Sequence, residues 1–276
     1  MTRVTVRNLC LTTSVVVSVL SGTAAASAQL SPPPAATGAS ADATNRLPGA
    51  QSAPDRPAVL AKRIIGQSVK DHPIRAWELG ERSADVTVVA IADMHGNETG
   101  GEVILNSLRD GRAIQDVHLW IIPRQNPDGV LRSQRQNARG VDLNRNFGVK
   151  WKPLTGYYYA GPRPWSEPET RSVRRFLNTV DPDYVLSFHS PLYGIDVHGA
   201  KDRPFARRVA EEMALPIKEF NCSGVCHGTL SQWFNARHDG ACVTVELGYD
   251  PSERYLNVRG PRGMLRAIGG HRRTAD

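Results

Sequence analysis

The chain has 276 residues, of which 40% are hydrophobic and 22% charged, and its formal net charge is +7. This length suits one domain with its own core or two small ones. The positive charge would suit a polyanionic partner, but the Lys and Arg residues are scattered and no motif of an RNA or DNA reader is present. We therefore expect a solvated basic surface and no nucleic-acid partner.

The first residues have the pattern of a secretory signal. Arg3 and Arg7 give a basic start, and Leu9–Leu20 is mostly apolar but too short for a membrane-spanning helix. The small residues Ala26-Ser27-Ala28 then match a signal-peptidase site. We predict a signal peptide at 1–28, a secreted or cell-wall-associated protein, and no stable membrane insertion after cleavage.

The remaining chain divides by composition. Residues 29–57 are rich in Pro, Ala and Ser and predict a flexible linker. One folded domain is predicted at 58–270, followed by a basic tail at 271–276. The stretch from Arg259 onward is basic and glycine-rich, and part of it is expected to fray.

Strand and helix patterns alternate in the folded domain. Short apolar runs predict strands at Asp85–Ala92, His118–Ile122, Tyr184–Phe188 and Ala241–Leu247. Helical spacing predicts helices at Gly101–Arg109, Glu167–Asn178 and Asp202–Leu215. Ser166 and Glu169 would form a capping box at the second helix. The pattern predicts an α/β fold, a single domain with a mixed, largely parallel twisted sheet flanked by helices.

Three cysteines follow the predicted signal peptide. An exported protein favours disulfides, and Cys222 and Cys226 flank a Ser-Gly turn that would allow a small closed loop. Cys242, in an apolar strand, is predicted to be a small buried hydrophobe. A structural zinc site that also uses His227 is the alternative.

Four residues suited to metal and proton chemistry lie at or near predicted strand ends. His95 and Glu98 follow the first strand in D-M-H-G-N-E, His189 follows the third, and Glu246 lies in the fourth. In α/β sheets, ligands bind at the carboxyl ends of strands. A lone buried His is usually structural, but four such coincidences favour one zinc ion per chain, held by His95, Glu98 and His189, with Glu246 as base. Gly96 would let the ligand loop turn tightly.

Six short motifs follow one another in a fixed order. They are H-G-N-E at 95–98, N-P-D-G at 126–129, G-V-D-L-N-R-N-F at 140–147, S-E-P-E-T at 166–170, F-H-S at 188–190 and V-E-L at 245–247. As an ordered set, they resemble the motifs of the zinc carboxypeptidase (funnelin) family. The resemblance extends from about Ile64 to Tyr249 and implies a zinc-dependent hydrolase of the metallocarboxypeptidase type, whose catalytic domain is the folded domain predicted at 58–270.

The resemblance also implies individual roles. His95, Glu98 and His189 match the zinc ligands, and Glu246 matches the general base that later returns the proton. Asn144 and Arg145 match the pair that binds the substrate's terminal carboxylate.

The arginine that polarises the scissile carbonyl is assigned to Arg135, with Arg132 and Arg139 as competitors. A guanidinium suits both tasks because it forms paired hydrogen bonds with a carboxylate and stabilises developing negative charge. N-P-D-G is read only as a turn with Gly129 at positive φ, and Ser166–Thr170 only as a helix start.

Two features depart from the digestive carboxypeptidases. Asn97 stands where those enzymes carry a substrate-contacting arginine, and no tyrosine occurs between Gly194 and Gly248, where their mobile tyrosine lies. The segment Gly228–Trp233 falls in this region, so a different specificity pocket is expected. A short exported domain with Y-Y-Y-A-G-P at 157–162 and S-E-P-E-T at 166–170 looks most like the bacterial murein peptide amidases, which cut the γ-D-glutamyl–diaminopimelate bond.

The sequence thus favours a secreted zinc peptidase that cuts a peptide or amide bond next to a residue with a free carboxylate, in murein peptides. A general metallocarboxypeptidase acting on ordinary peptides, an N-acyl amino acid deacylase and a non-catalytic wall-binding module are the alternatives.

Overall fold

A computed structural model describes residues 58–220 and 224–274. The strands are β1 Val59–Gln67, β2 Pro73–Gly80, β3 Thr87–Ile91, β4 Ile114–Gln115, β5 His118–Ile122, β6 Tyr184–His189, β7 Gly194–Ile195, β8 Ala241–Glu246 and β9 His271–Arg272. The α-helices are α1 Gly100–Arg109, α2 Pro127–Leu131, α3 Pro168–Val180, α4 Arg203–Met213, α5 Leu230–Arg237 and α6 Gly260–Ala267. The predicted signal peptide and linker lie outside the described residues. Among those described, no helix is both long and apolar enough to cross a bilayer.

Seven strands form one mixed sheet in the order β1-β2-β5-β3-β6-β8-β7. The central strands β5, β3, β6 and β8 run parallel, whereas β1, β2 and β7 pair antiparallel at the two edges. The predicted mixed sheet flanked by helices is therefore confirmed. The predicted elements are present, with ends that differ by up to two residues.

The central strands are covered on both faces. Val88 and Ala90 of β3 belong to a buried cluster with α1, α4 and α6, whereas Val89 and Ile91 belong to a second cluster with α3 and α5. Successive side chains of a strand point to opposite faces, so a strand buried on both sides is apolar throughout. This burial explains the unbroken apolar run before His95.

The order of the strands gathers the carboxyl ends of β3, β6 and β8 at one edge. The strands that follow β3 in the sequence lie on both sides of it, β5 on one side and β6 and β8 on the other. Such a change of direction in the strand order is where α/β proteins bind ligands. His189 is the last residue of β6 and pairs in register with Glu246, the last residue of β8. The loop that carries His95 and Glu98 follows β3, which neighbours β6 on the side away from β8.

The predicted capping box at α3 is wrong. Helix α3 begins after Glu167, and no side chain caps its N-terminus. The Ser166 hydroxyl instead accepts a hydrogen bond from Asn146 Nδ2 (2.8 Å) and donates one to Glu167 Oε1 (2.7 Å). Glu169 accepts a bond from the amide of Val69 (3.0 Å). Each of the two side chains therefore has a partner far away in the sequence, Asn146 for Ser166 and Val69 for Glu169.

The reading of N-P-D-G as a turn with a left-handed glycine is also wrong. Asn126 caps the short helix α2 by accepting a hydrogen bond from Gly129 N (2.9 Å), and Gly129 has no positive φ. Close packing favours glycine at both Gly96 and Gly129, against different neighbours. A Cβ on Gly96 would lie 2.0 Å from the Gly129 carbonyl carbon, and one on Gly129 would lie 2.4 Å from Asn126 Nδ2. Gly96 thus permits the approach of two backbones.

The basic tail is not a separate frayed segment at its start. His271 and Arg272 form β9, which pairs with β4, and the Arg272 guanidinium donates to the carbonyls of Ser107 and Arg112. Residues 275–276 lie outside the described part.

Cys242 is free and buried, as expected, and Cys226 is disulfide-bonded. Since Cys222 lies outside the described residues, the predicted Cys222–Cys226 pairing stays a prediction.

Candidate metal centre and substrate site

Three predicted ligands meet at the carboxyl edge of the sheet. His95 Nδ1 lies 2.9 Å from Glu98 Oε1, His189 Nδ1 lies 3.0 Å from Glu98 Oε2, and the two Nδ1 atoms are 3.2 Å apart. All three side chains are buried. Within the described residues, they are the one group of His, Cys, Asp or Glu side chains arranged to hold a metal.

The hydrogen bonds behind the two histidines fit a cation between them. His95 Nε2 lies 3.0 Å from Asp142 Oδ1, and His189 Nε2 lies 3.1 Å from Ser187 Oγ. With both Nε2 atoms protonated and donating outward, the two Nδ1 lone pairs and the Glu98 carboxylate face one another, an arrangement that requires a cation. Ligands roughly 2.0–2.1 Å from a tetrahedral zinc would lie about 3.3 Å apart, close to the observed spacings.

Asp142 joins the ligands to the arginines, and sequence reasoning missed it. It is fully buried, and its carboxylate also accepts hydrogen bonds from Arg135 Nε (2.9 Å) and the Asn144 amide (2.9 Å). Burial alone would raise the pKa of Asp142, but His95 and Arg135 outweigh it and hold the pKa well below its usual range. Its position before the N-R pair of D-L-N-R-N-F was the available signal.

Replacing Asp142 with Asn should weaken zinc binding about 10- to 100-fold, because the carboxylate that orients His95 loses its charge. Competition between the protein and a chromogenic chelator measures this affinity. Ser187→Ala, which removes the neutral partner of His189, is the matched control and should have a smaller effect. An unchanged affinity in Asp142→Asn would show that Asp142 does not support the metal site.

Glu246 lies beside the three predicted metal ligands but is hydrogen-bonded to the backbone instead of to those ligands. Its side chain is buried, and Oε2 accepts a hydrogen bond from the Leu192 amide (3.3 Å). Burial raises the pKa of this carboxyl, His189 partly offsets the rise, and the nearby Glu98 charge adds to it. A raised pKa makes a carboxylate a stronger base, which suits proton transfer near neutral pH.

The structure brings Arg135 to the ligands and leaves its two competitors elsewhere. Arg135 Nη1 donates to Glu98 Oε1 (3.0 Å), and the side chain is only 13% exposed. Arg132 is exposed, and its Nε donates to the Asp128 carbonyl. Arg139 is 56% exposed and pairs with Glu167 at 3.6 Å.

Arg145 is a buried cation near Asp142 and Arg135. It is 5% exposed, and its Nη1 donates to the Asn144 carbonyl (2.8 Å). Its Nε is buried without a partner among the described residues. A buried guanidinium with unused donors suits an anionic ligand.

Asn144 makes contacts within the protein at both ends of its amide. Oδ1 accepts a bond from Leu230 N (3.0 Å), and Nδ2 lies 3.4 Å from His189 Nε2. Its predicted contact with substrate stays a prediction.

The segment Gly228–Trp233 lies next to the D-L-N-R-N-F motif at 142–147. It contains the start of α5, where Thr229 and Gln232 form a capping box, a helix that sequence reasoning did not assign. The Gly228 carbonyl accepts a hydrogen bond from Phe147 N (2.9 Å). Asn97 is exposed between the two buried ligands His95 and Glu98.

Comparison with known proteins identifies the class. Residues 50–195, more than half of the chain, match the model of the family described as zinc carboxypeptidase. The chain belongs to the zinc carboxypeptidase family and is a hydrolase. The matched range contains His95, Glu98 and His189 and ends before Glu246.

The chain is similar to curated proteins of two kinds, murein peptide amidases and carboxypeptidases. The chain is 28% identical to murein peptide amidase A of Escherichia coli K12 over 210 residues, which cover 69% of this chain and 84% of the relative. It is also 28% identical to the human carboxypeptidase N catalytic chain over 198 residues, 55% of this chain and 42% of that one.

Solved structures confirm the fold. The murein-tripeptide amidase of Escherichia coli O157 superposes with a TM-score of 0.65 at 24% identity, covering 82% of this chain and 98% of that one. Carboxypeptidase A from Helicoverpa armigera gives a TM-score of 0.59 at 19% identity, covering 76% of this chain and 69% of that one.

Proposed function

We propose that the chain is a zinc-dependent peptide amidase that cuts murein peptides next to a residue with a free carboxylate, as at a γ-D-glutamyl–diaminopimelate bond. The observation that carries the proposal is the convergence of two imidazoles and a carboxylate at 2.9–3.2 Å, with Arg135 bonded to one of them. The likeness to murein peptide amidase A, over most of that protein, supports the substrate class.

His95, Glu98 and His189 would hold the zinc ion, one per chain. Zinc at this position supplies Lewis acidity to a carbonyl oxygen and to water. Glu246, held by the Leu192 amide, accepts the proton of the attacking water and then donates it to the leaving amine.

The two arginines interact with two different negative charges of the substrate. Arg135 is held by Glu98 and Asp142 through Nη1 and Nε, so its remaining terminal nitrogen can donate to the oxygen that becomes negative during attack. Arg145, whose buried Nε has no partner within residues 58–220 and 224–274, binds the substrate carboxylate. These contacts favour substrates that end in, or carry, an acid beside the cut bond.

We also propose that the protein is exported and acts on the cell wall. The basic start, the apolar stretch and the small residues before position 29 support this location, which is where murein peptides occur.

Digestion of defined murein peptides beside ordinary peptides tests the proposed function. Protein is incubated with each set, with and without a chelator, and the products are identified by mass spectrometry. We expect cleavage of murein peptides at the γ-D-glutamyl bond, loss of activity with chelator, and recovery on adding zinc. Cleavage of ordinary peptides alone would favour the general carboxypeptidase, which the similarity to carboxypeptidase N supports.

A further inference from the structure

Two tyrosines lie over the two arginines of the site. The turn at Gly156–Tyr158 places the Tyr158 ring 5.2 Å from the Arg145 guanidinium carbon and 5.5 Å from that of Arg135. Tyr157 lies 5.3 Å from Arg135 alone and is 58% exposed. An arginine within about 6 Å of an aromatic ring is attracted by the negative face of the ring. Tyr158 is thus shared between both cations.

The turn is fastened to the residues next to each arginine. Gln136, which follows Arg135, donates from Nε2 to the carbonyls of Gly156 (2.9 Å) and Tyr157 (3.2 Å). Asn146, which follows Arg145, donates from Nδ2 to the Ala160 carbonyl (2.8 Å). These side-chain bonds hold the tyrosines in a fixed position relative to the arginines.

The stretch that carries the two tyrosines is also hydrogen-bonded to Asp142, the residue behind His95. The Asp142 amide donates to the Tyr159 carbonyl (2.8 Å), so the residue that orients His95 and Arg135 also anchors the end of the aromatic turn. A wall built in this way is fixed before substrate arrives, and fixed groups bind a ligand with less loss of entropy.

An aromatic ring beside the two guanidinium groups offsets part of their mutual repulsion. Burial lowers the pKa of Arg145, Asp142 partly offsets this, and the positive charge of Arg135 lowers it further. Two like charges held close together repel, and an aromatic ring within reach of both offsets part of that repulsion while it keeps water away.

We propose that Tyr158 is a positioning residue for carboxylate recognition: its ring holds Arg135 and Arg145 together and shields them, so the enzyme prefers substrates with a free acid. The inference rests on the proposed function, because it assigns the origin of the acid preference at the same site. The ring carries the effect, so Tyr158→Phe retains most of it and Tyr158→Leu loses it. Tyr157, which contacts Arg135 but not Arg145 in the described part of the chain, is the matched comparison.

Equilibrium binding to the inactive Glu246→Gln protein tests the inference without turnover. The probes are two pairs, each an acid and its carboxamide: a murein tripeptide and an N-acyl dipeptide. For the pair that the protein binds, calorimetry gives the ratio of the two dissociation constants. We expect this acid preference to fall about 3- to 30-fold in Tyr158→Leu, to stay near its original value in Tyr158→Phe, and to change little in Tyr157→Leu.

The outcomes separate the inference from the proposed function. An unchanged acid preference in a folded Tyr158→Leu protein, verified by its thermal unfolding, would overturn the role of Tyr158. Equal losses in Tyr157→Leu and Tyr158→Leu would overturn the shared contact with both arginines. Binding of the dipeptide pair without the murein pair would instead contradict the proposed substrate, while the dipeptide ratios still decide the role of Tyr158.

Discussion

Replacing Glu246 with Gln should lower kcat by a factor of about 10² to 10⁴ and leave the metal bound. The amide has nearly the shape of the carboxylate and can still accept the hydrogen bond from the Leu192 amide, but it cannot accept the proton of the attacking water. Steady-state rates on a murein tripeptide and the zinc content of the same sample measure the two effects.

Glu212→Gln provides the matched control for this substitution. Glu212 is a partly exposed residue of α4 that pairs with Arg266, so the same chemical change there should leave the rate unchanged. A metal-loaded Glu246→Gln protein with the activity of the unmodified chain would remove Glu246 from the mechanism.

Replacing Arg145 with Lys should reduce kcat/KM for acid substrates on the order of 100-fold, mainly through KM. The guanidinium offers paired donors to a carboxylate, whereas an ammonium group offers a point charge on a flexible four-carbon stem. Rates for a murein tripeptide and for its carboxamide, measured side by side, isolate recognition of the acid.

Arg139→Lys is the control for the second prediction. Arg139 is 56% exposed and contacts Glu167 rather than the metal ligands. Its substitution should therefore leave KM unchanged. If Arg145→Lys lowers the rates for the acid and the carboxamide equally, then Arg145 supports the site without binding the carboxylate.

The fold and the meeting of His95, Glu98 and His189 at one edge of the sheet could be predicted from the sequence for one physical reason. Strands buried on both faces must be apolar, so the runs before His95 and His189 and the run that contains Glu246 are visible as strands. Parallel strands bring their carboxyl ends to one edge, and three separate stretches of sequence therefore supply one centre.

Other features depend on partners far away in the chain. The Ser166 hydroxyl looks free to cap α3, but Asn146 occupies it. Gly96 is expected to allow a tight turn, but the constraint is the close approach of the Gly129 backbone in α2. In each case, local preference was read correctly in isolation and was overridden by a tertiary contact.

The parts of the site that sequence reasoning missed support residues that it found. Asp142 touches His95 and Arg135, and Tyr158 touches Arg135 and Arg145. Both residues lie in the motifs G-V-D-L-N-R-N-F and Y-Y-Y-A-G-P, but their roles depend on the side chains that they contact, which the sequence does not show. Geometry was also needed to place Arg135, rather than Arg132 or Arg139, beside Glu98.

The metal content of the purified protein tests the metal centre most directly. Mass spectrometry of the elements, after dialysis against metal-free buffer, gives the number of zinc ions per chain. We expect one zinc ion in the unmodified chain and in Glu246→Gln, and little zinc in His189→Ala, with each fold checked by circular dichroism. A zinc-free unmodified chain that cannot be reloaded, or a His189→Ala protein that retains one zinc ion, would contradict a centre built from His95, Glu98 and His189.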